Sequence, residues 1–216
     1  KYLLDKFQEG LFFYYFSSVD QNCHMLWRNM DPTHPLYLAD ASPEVKNGVR
    51  YFYQRMDEVL RMALEKVDNY TTLMVVSDHG FVPFNREFHL STWLVQNGYT
   101  VLDPPDSFGE AEFFKHVDWS RTKAYALGIN GIYINLKGRE PHGCVEPAEA
   151  ERIKAEILQK LPQVIDPQNG KRVISRCFDS REIYSGPYMQ LAPDLMAGYA
   201  PGYRVSDEAV LGKFPH

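Results

Sequence analysis

Two apolar runs flanking one long amphipathic segment constrain the fold of this chain more than any other feature. The first run is Leu11-Phe-Phe-Tyr-Tyr-Phe16, followed by Ser17 and Ser18; the second is Thr71-Thr-Leu-Met-Val-Val-Ser77. Both are continuous and of strand length, the pattern of strands buried on both faces, as in parallel sheets. Between them, Val49, Phe52, Met56, Val59, Leu60, Ala63, Leu64 and Val67 recur at helical spacing, which predicts a helix over 43–68. Ser42 suits its N-cap and Pro43 its first position. Strand, helix, strand is a βαβ unit. It predicts an α/β fold with a mostly parallel central sheet, right-handed crossovers and helices on both faces.

The remainder predicts shorter elements. Leu90 to Asn97 reads as a helix ended by Gly98. Ala124 to Leu136 reads as a hairpin with Gly128 and Asn130 near its turn. Pro147 to Leu161 reads as a helix with Ile153, Ile157, Leu158 and Leu161 on one side, closed by Pro162. Residues 172–177 and 194–199 are strand candidates, and Ser206 to Leu211 opens a last short helix. No repeat or linker divides the 216 residues, so one domain is expected.

Composition mainly excludes. The net charge is −5 and no run of Lys or Arg stands out, so a nucleic-acid duplex is not an expected partner. Bound metal can still make an acidic protein attractive to an anionic substrate. No segment is long and apolar enough for a membrane span. Cys23, Cys144 and Cys177 are far apart without CxxC spacing; a disulfide framework is not expected, and one pair stays open. The chain opens with Lys1 inside helix-like sequence, as if within a longer protein, so no compartment is read from it.

Acids and histidines cluster at two places, each just after an apolar run, and ligands bind beyond the carboxyl ends of strands in open α/β sheets. In Asp20-Gln-Asn-Cys-His24, a helical turn would place Asp20 and His24 at i and i+4 on one face. Alone, such a pair is more often an exposed Asp and a hydrogen-bonded His. In Ser77-Asp-His-Gly-Phe81, Asp78 and His79 leave the second run together, and Gly80 permits a tight bend. Here the plain alternative is an Asx-type turn with His merely nearby. Together the two places say more. Neighbouring strands lie about 4.8 Å apart, and paired ions in hydrolytic sites about 3.5–4 Å apart. Imidazole and carboxylate favour zinc, with manganese and iron compatible.

The order of DxxxH, long helix and SDHGF resembles the type I phosphodiesterase/nucleotide pyrophosphatase branch of the alkaline phosphatase superfamily. So do residues 88–99, 128–139 and 192–204, so the resemblance covers nearly the whole chain. It implies a three-layer α/β/α domain, here an incomplete portion with a small hairpin-containing insertion, and a cap or insertion over about residues 100–190. It implies two divalent ions, one on Asp20 and His24 and the other on Asp78 and His79. It further implies a Thr or Ser nucleophile and one more aspartate upstream of residue 11, where this chain has no match. The family's last histidine ligand follows the stretch ending at Arg204; His216 is near that place, but Phe214-Pro-His216 lacks the Gly/Ser/His context. The implied reaction is attack by an activated hydroxyl on a small phosphate ester or nucleotide, then hydrolysis of the covalent intermediate.

Three readings follow. The first is a phosphodiesterase or nucleotide pyrophosphatase. The second is a phosphomonoesterase, phosphonate hydrolase or phosphomutase of the same superfamily, since these four ligands would serve any of them. The third is a metal-free binding or scaffold protein; four retained ligands argue against it. His89 is a weaker substrate-side candidate, ten residues beyond His79. Asn130 and Tyr133 could line a pocket entrance, although packing suits Tyr133 better. His34 and His116 read as surface or supporting residues, and Arg139, Glu140 and His142 as a solvated loop.

Overall fold

A computed structural model describes residues 1–109 and 113–215. The chain forms two compact units, Lys1–Asn85 and Arg86–His216.

The first unit is built from α1 (Tyr2–Lys6), α2 (Ser17–Met30), α3 (Pro43–Lys46) and α4 (Gly48–Leu64). Ser42 Oγ accepts the Val45 amide at 3.5 Å and Pro43 occupies the first turn, so this helical stretch starts where the sequence places it. It is two helices, not one: the first is capped at Asn47, and the second stops at Leu64, short of Asp68. α4 packs on α2. Gly48 faces Leu26 there, and a Cβ at Gly48 would require the Leu26 side chain to shift. Among the described residues, Cys23 and Val49 are the buried apolar side chains of this unit.

The two apolar runs do not form strands. Leu11 is 85% exposed and Val75 79%, and neither run pairs with a neighbour among the described residues. The reason is non-local. A buried strand is held by backbone hydrogen bonds to both neighbours and by cover on both faces, and apolar sequence states the need without supplying the partner.

The second unit holds a four-stranded sheet in the order β2-β3-β5-β4. Its strands are β2 (Ala124–Leu127), β3 (Gly131–Ile134), β4 (Ile174–Asp179) and β5 (Leu195–Tyr199). Each pairing in it is antiparallel, from Ala124 opposite Ile134 to Asp179 opposite Leu195. The mostly parallel central sheet expected from the two apolar runs is not what this sheet is; it falls largely in the stretch of about 100–190 expected as a hairpin-containing insertion. The β2–β3 hairpin forms as read, with Gly128 at φ +73° in its turn, where a left-handed residue is needed. β1 (Phe84–Phe88), whose last three residues belong to this unit, pairs with β6 (Gly202–Val205). The helices α5 (Leu90–Gln96), α6 (Pro147–Lys160), α7 (Ser180–Ile183) and α8 (Asp207–Val210) complete it. α6 packs on β3 and β4, burying Ile153 and Ile157 against a core with Leu94, Ile132, Ile134, Ile174 and Leu195. The three cysteines are free.

Ion pairs tie this core to its loops. The Arg139 guanidinium grips Asp194 with two hydrogen bonds, of 2.6 and 3.1 Å, and also donates to the Ile134 carbonyl at 2.7 Å. Asp194 in turn accepts the Ile134 amide at 2.7 Å. Arg139 is thus a half-buried brace between loop and sheet, with Glu140 beside it at 2.9 Å, while His142 is exposed as a solvated loop would have it; a charged loop motif does not reveal that Arg139's partner lies 55 residues on. Asp179 is buried at the end of β4. It accepts from Arg181 Nη2 at 2.6 Å, from the Arg181 amide at 2.9 Å and from Lys154 Nζ at 3.2 Å. The Arg181 side chain holds its carboxyl well below the usual carboxylate range; burial opposes this, while the Arg181 amide and Lys154 reinforce it.

Two outcomes are expected. Because Asp179's folded pKa is depressed, its contribution to stability is fully present above the free carboxyl value near ~4 and is lost as pH falls toward the folded value. Urea midpoints between pH 5 and pH 2 should decline less steeply in Asp179→Asn than in the wild type; parallel curves would refute the assignment. Second, the exposed residues 11–16 and 73–76 offer unpaired backbone beside apolar side chains, so the 216-residue chain should self-associate. Sedimentation velocity over a concentration series tests this, and a concentration-independent monomer contradicts it.

Candidate functional site

α2 starts directly after the first apolar run, with Asp20 in its first turn, where a carboxylate complements the helix dipole. Cys23 and Asn29 point into the unit, which leaves Asp20 and His24 on a more open face. One turn apart, they bring His24 Nε2 to 3.5 Å from Asp20 Oδ1. The helical i, i+4 arrangement read from the sequence is what forms.

The second pair sits on an irregular segment. Ser77 Oγ donates to the His79 carbonyl at 2.5 Å, closing the bend that carries Asp78. His79 Nδ1 lies 2.9 Å from the Gly80 carbonyl oxygen, which only accepts, so Nδ1 carries the proton in the neutral ring. Nε2 is left with its lone pair, 3.6 Å from Asp20 Oδ1 and 3.8 Å from Asp78 Oδ2. The Gly80 carbonyl and then the Asp78 carboxylate push the His79 pKa up from its ordinary value; slight desolvation opposes them and Asp20 adds to them.

Asp20, His24, Asp78 and His79 therefore meet in one chain of contacts through the Asp20 carboxylate. Donors around a tetrahedral zinc at 2.0–2.2 Å lie about 3.3–3.6 Å apart; the Asp20–His24 pair, at 3.5 Å, falls in that range, and the Asp78–His79 pair, at 3.8 Å, lies just beyond it. The donor chemistry, two imidazoles and two carboxylates, suits a divalent ion. The contacts run in a line, however: among the described residues no three His, Cys, Asp or Glu side chains are gathered around one point as ligands of one ion.

The Phe81 ring occupies the middle of this group. Its centroid is 4.8 Å from the His24 ring and 5.4 Å from the His79 ring, edge-on to both, and it stacks on Trp27 at 6.0 Å. Sequence reading passed over both aromatics. The available signal was spacing: Trp27 is three residues beyond His24 on a helix, and Phe81 two beyond His79.

The other candidates are elsewhere. His89 belongs to the second unit, at the N-cap of α5, with Nδ1 buried and no hydrogen-bond partner among the described residues. Tyr133 stacks on Tyr125 at 5.4 Å, and the Asn130 carbonyl accepts the Ala197 amide, so both serve the sheet. His216 lies outside the described residues. Cavities of about 560 and 310 Å³ in the second unit are lined by Trp119, Lys137, His142 and Cys144, and by Lys154, Asp179, Ser180 and Arg181, among others; neither includes any of the four site residues.

The chain belongs to the type I phosphodiesterase / nucleotide pyrophosphatase family, whose model matches residues 2–212, and so to the alkaline phosphatase superfamily. No curated protein and no solved structure matches it. Family membership supports phosphoester hydrolysis in general. Among the described residues no helix is long and apolar enough to cross a membrane.

Proposed function

We propose that this chain contributes four metal ligands of a two-metal phosphodiesterase or nucleotide pyrophosphatase acting on small phosphate esters or nucleotides. The observation that supports it most is the meeting of Asp20, His24, Asp78 and His79, residues from a helix and a distant loop, through one carboxylate. Asp20 and His24 hold one divalent ion, and Asp78 and His79 the other, zinc by ligand type, with manganese or iron compatible. When bound, such ions supply Lewis acidity and positive charge at the non-bridging oxygens of the transferred group. The chain's own residues prepare that charge. Asp20 and Asp78 attract the cations, and the Gly80 carbonyl keeps His79 in the tautomer whose Nε2 is free to bind. The reaction uses a Thr or Ser nucleophile, as the family resemblance implies. In the intact protein, residues 11–16 and 71–77 enter a parallel central sheet between helical layers, which covers their apolar side chains.

The full-length protein should hydrolyse bis-p-nitrophenyl phosphate in preference to p-nitrophenyl phosphate, lose activity to a chelator and regain it with zinc or manganese. A strong monoester preference would shift the reading to a phosphomonoesterase. Absence of any bound divalent ion, with no activity restored, would leave a metal-free binding protein on the same fold. Within the site, Asp20 touches both imidazoles while the largely exposed Asp78 touches one. Asp20→Ala should therefore weaken zinc binding more than Asp78→Ala, by on the order of 100-fold against ~10-fold, read by competition with a chromophoric chelator. The reverse order would rule out Asp20 as the shared centre.

A further inference from the structure

We propose that the cavity of about 560 Å³ in the second unit binds a flat aromatic ring carrying an anionic group, as in a nucleoside monophosphate or an aryl phosphate. The site shares no residue with the four metal-ligand positions and does not rest on the metal reading.

The cavity has walls that are built before any ligand arrives. Trp119 and Ser120 line it from one loop, and Lys137, His142, Gly143 and Cys144 from another. A single buried amide ties the two loops together. Asn135, just beyond β3 and 1% exposed, shares its Nδ2 hydrogens among the carbonyls of Trp119 and Thr122, both at 2.8 Å, and of His142 at 3.2 Å. Its own carbonyl accepts the Cys144 and Val145 amides, each at 3.0 Å. The Cys144 thiol adds a second tie, donating to the Thr122 carbonyl at 3.0 Å. Gly143 is needed in this tight loop, because a Cβ there would collide with the Leu136 carbonyl and the Lys137 nitrogen, backbone atoms that cannot swing aside. Breaking such buried bonds leaves polar groups desolvated and alone. A cavity of this size with fixed walls suits a small molecule, and binding it requires little ordering of the protein.

The lining specifies the ligand's chemistry. None of the six lining side chains is a carboxylate, although the chain as a whole carries a net charge of −5. Lys137 supplies an ammonium and His142 an exposed imidazole, which offers an N–H in either tautomer. Both suit phosphate oxygens. Lys137 pairs with Glu146, but the two side chains are 52% and 61% exposed, and such a pair contributes little. Exchanging Glu146 for a ligand phosphate therefore costs little. Trp119 supplies the apolar surface. It is half-buried and held by Tyr125 edge-on at 5.2 Å and by Phe114 at 5.6 Å, so its indole is already oriented when a ring stacks on it. An indole beside an ammonium and an imidazole, with no lining carboxylate, recognises a ring and an anion on one molecule.

The test uses the full-length protein held in chelator, so that divalent ions do not recruit phosphate. Calorimetry compares AMP, phenyl phosphate, adenosine and inorganic phosphate. The wild type should bind AMP or phenyl phosphate at least ~10-fold more tightly than inorganic phosphate, and whichever of the two binds tighter identifies the ring. Lys137→Glu changes an exposed side chain and should weaken binding of both esters by ~10-fold or more while leaving adenosine unchanged. Trp119→Leu should weaken both esters by ~10-fold. Neither ester binding the chelated wild type, inorganic phosphate binding as tightly as the esters, or Lys137→Glu binding them like wild type would each overturn the proposal. Should Trp119→Leu fail to fold, Lys137→Glu still decides. A wild type that binds AMP in chelator but takes up no Zn²⁺ removes the metal reading and leaves this site standing; uptake of Zn²⁺ without ester binding in chelator does the reverse.

Discussion

The Asp20 carboxylate is the contact on which the site depends. It lies within 3.5 Å of the imidazole on its own helix and 3.6 Å of one brought in by a loop. A carboxylate facing two imidazoles is a concentration of negative charge that is relieved by protons or by a cation. The His79 pKa is raised first by the Gly80 carbonyl and then by the Asp78 carboxylate, and Asp20 adds the least to it. A divalent ion competing for the same Nε2 would be the other form of relief, since metal binding displaces protons from such nitrogens.

What the sequence made legible was local. The i, i+4 geometry of Asp20 and His24 needs only a helix, and α2 provides it. The Ser42–Pro43 helix start, the hairpin turn at Gly128 and the apolar stripe of Ile153 and Ile157 likewise depend on neighbours a few residues away. What stayed illegible was partnership across the chain. Residues 11–16 and 71–77 have the composition of buried strands, but composition does not name the strand that would pair with them. Arg139 looked like a loop charge because Asp194, its partner, lies far along the chain. The same limit applied to Phe81, whose ring contacts become visible only once α2 and the 77–81 bend are in place.

The two units differ in how their order is secured. In the second, a helix-backed antiparallel sheet buries branched side chains completely, and the Arg139–Asp194 and Arg181–Asp179–Lys154 ion pairs brace its edges. Half-buried charges held by several hydrogen bonds tolerate little displacement, because separating one partner leaves the other desolvated and alone. In the first, few side chains are buried among the described residues, and the segment leading to Asp78 has no ladder.

The two acid–histidine pairs sit on the less buried of the two units. The helix pair is held in register by the backbone hydrogen bonds of α2, whereas the loop pair sits on a bend closed by the Ser77 hydroxyl and the His79 ring against backbone carbonyls. Such a loop holds its geometry only as well as its anchoring contacts do, and those reduce to exposed ion contacts and one aromatic cluster. Exposed ion contacts weaken with salt, whereas packed rings do not depend on it in the same way. The Phe81 ring, which meets both histidines and Trp27, adds an uncharged contact beside those exposed ion pairs.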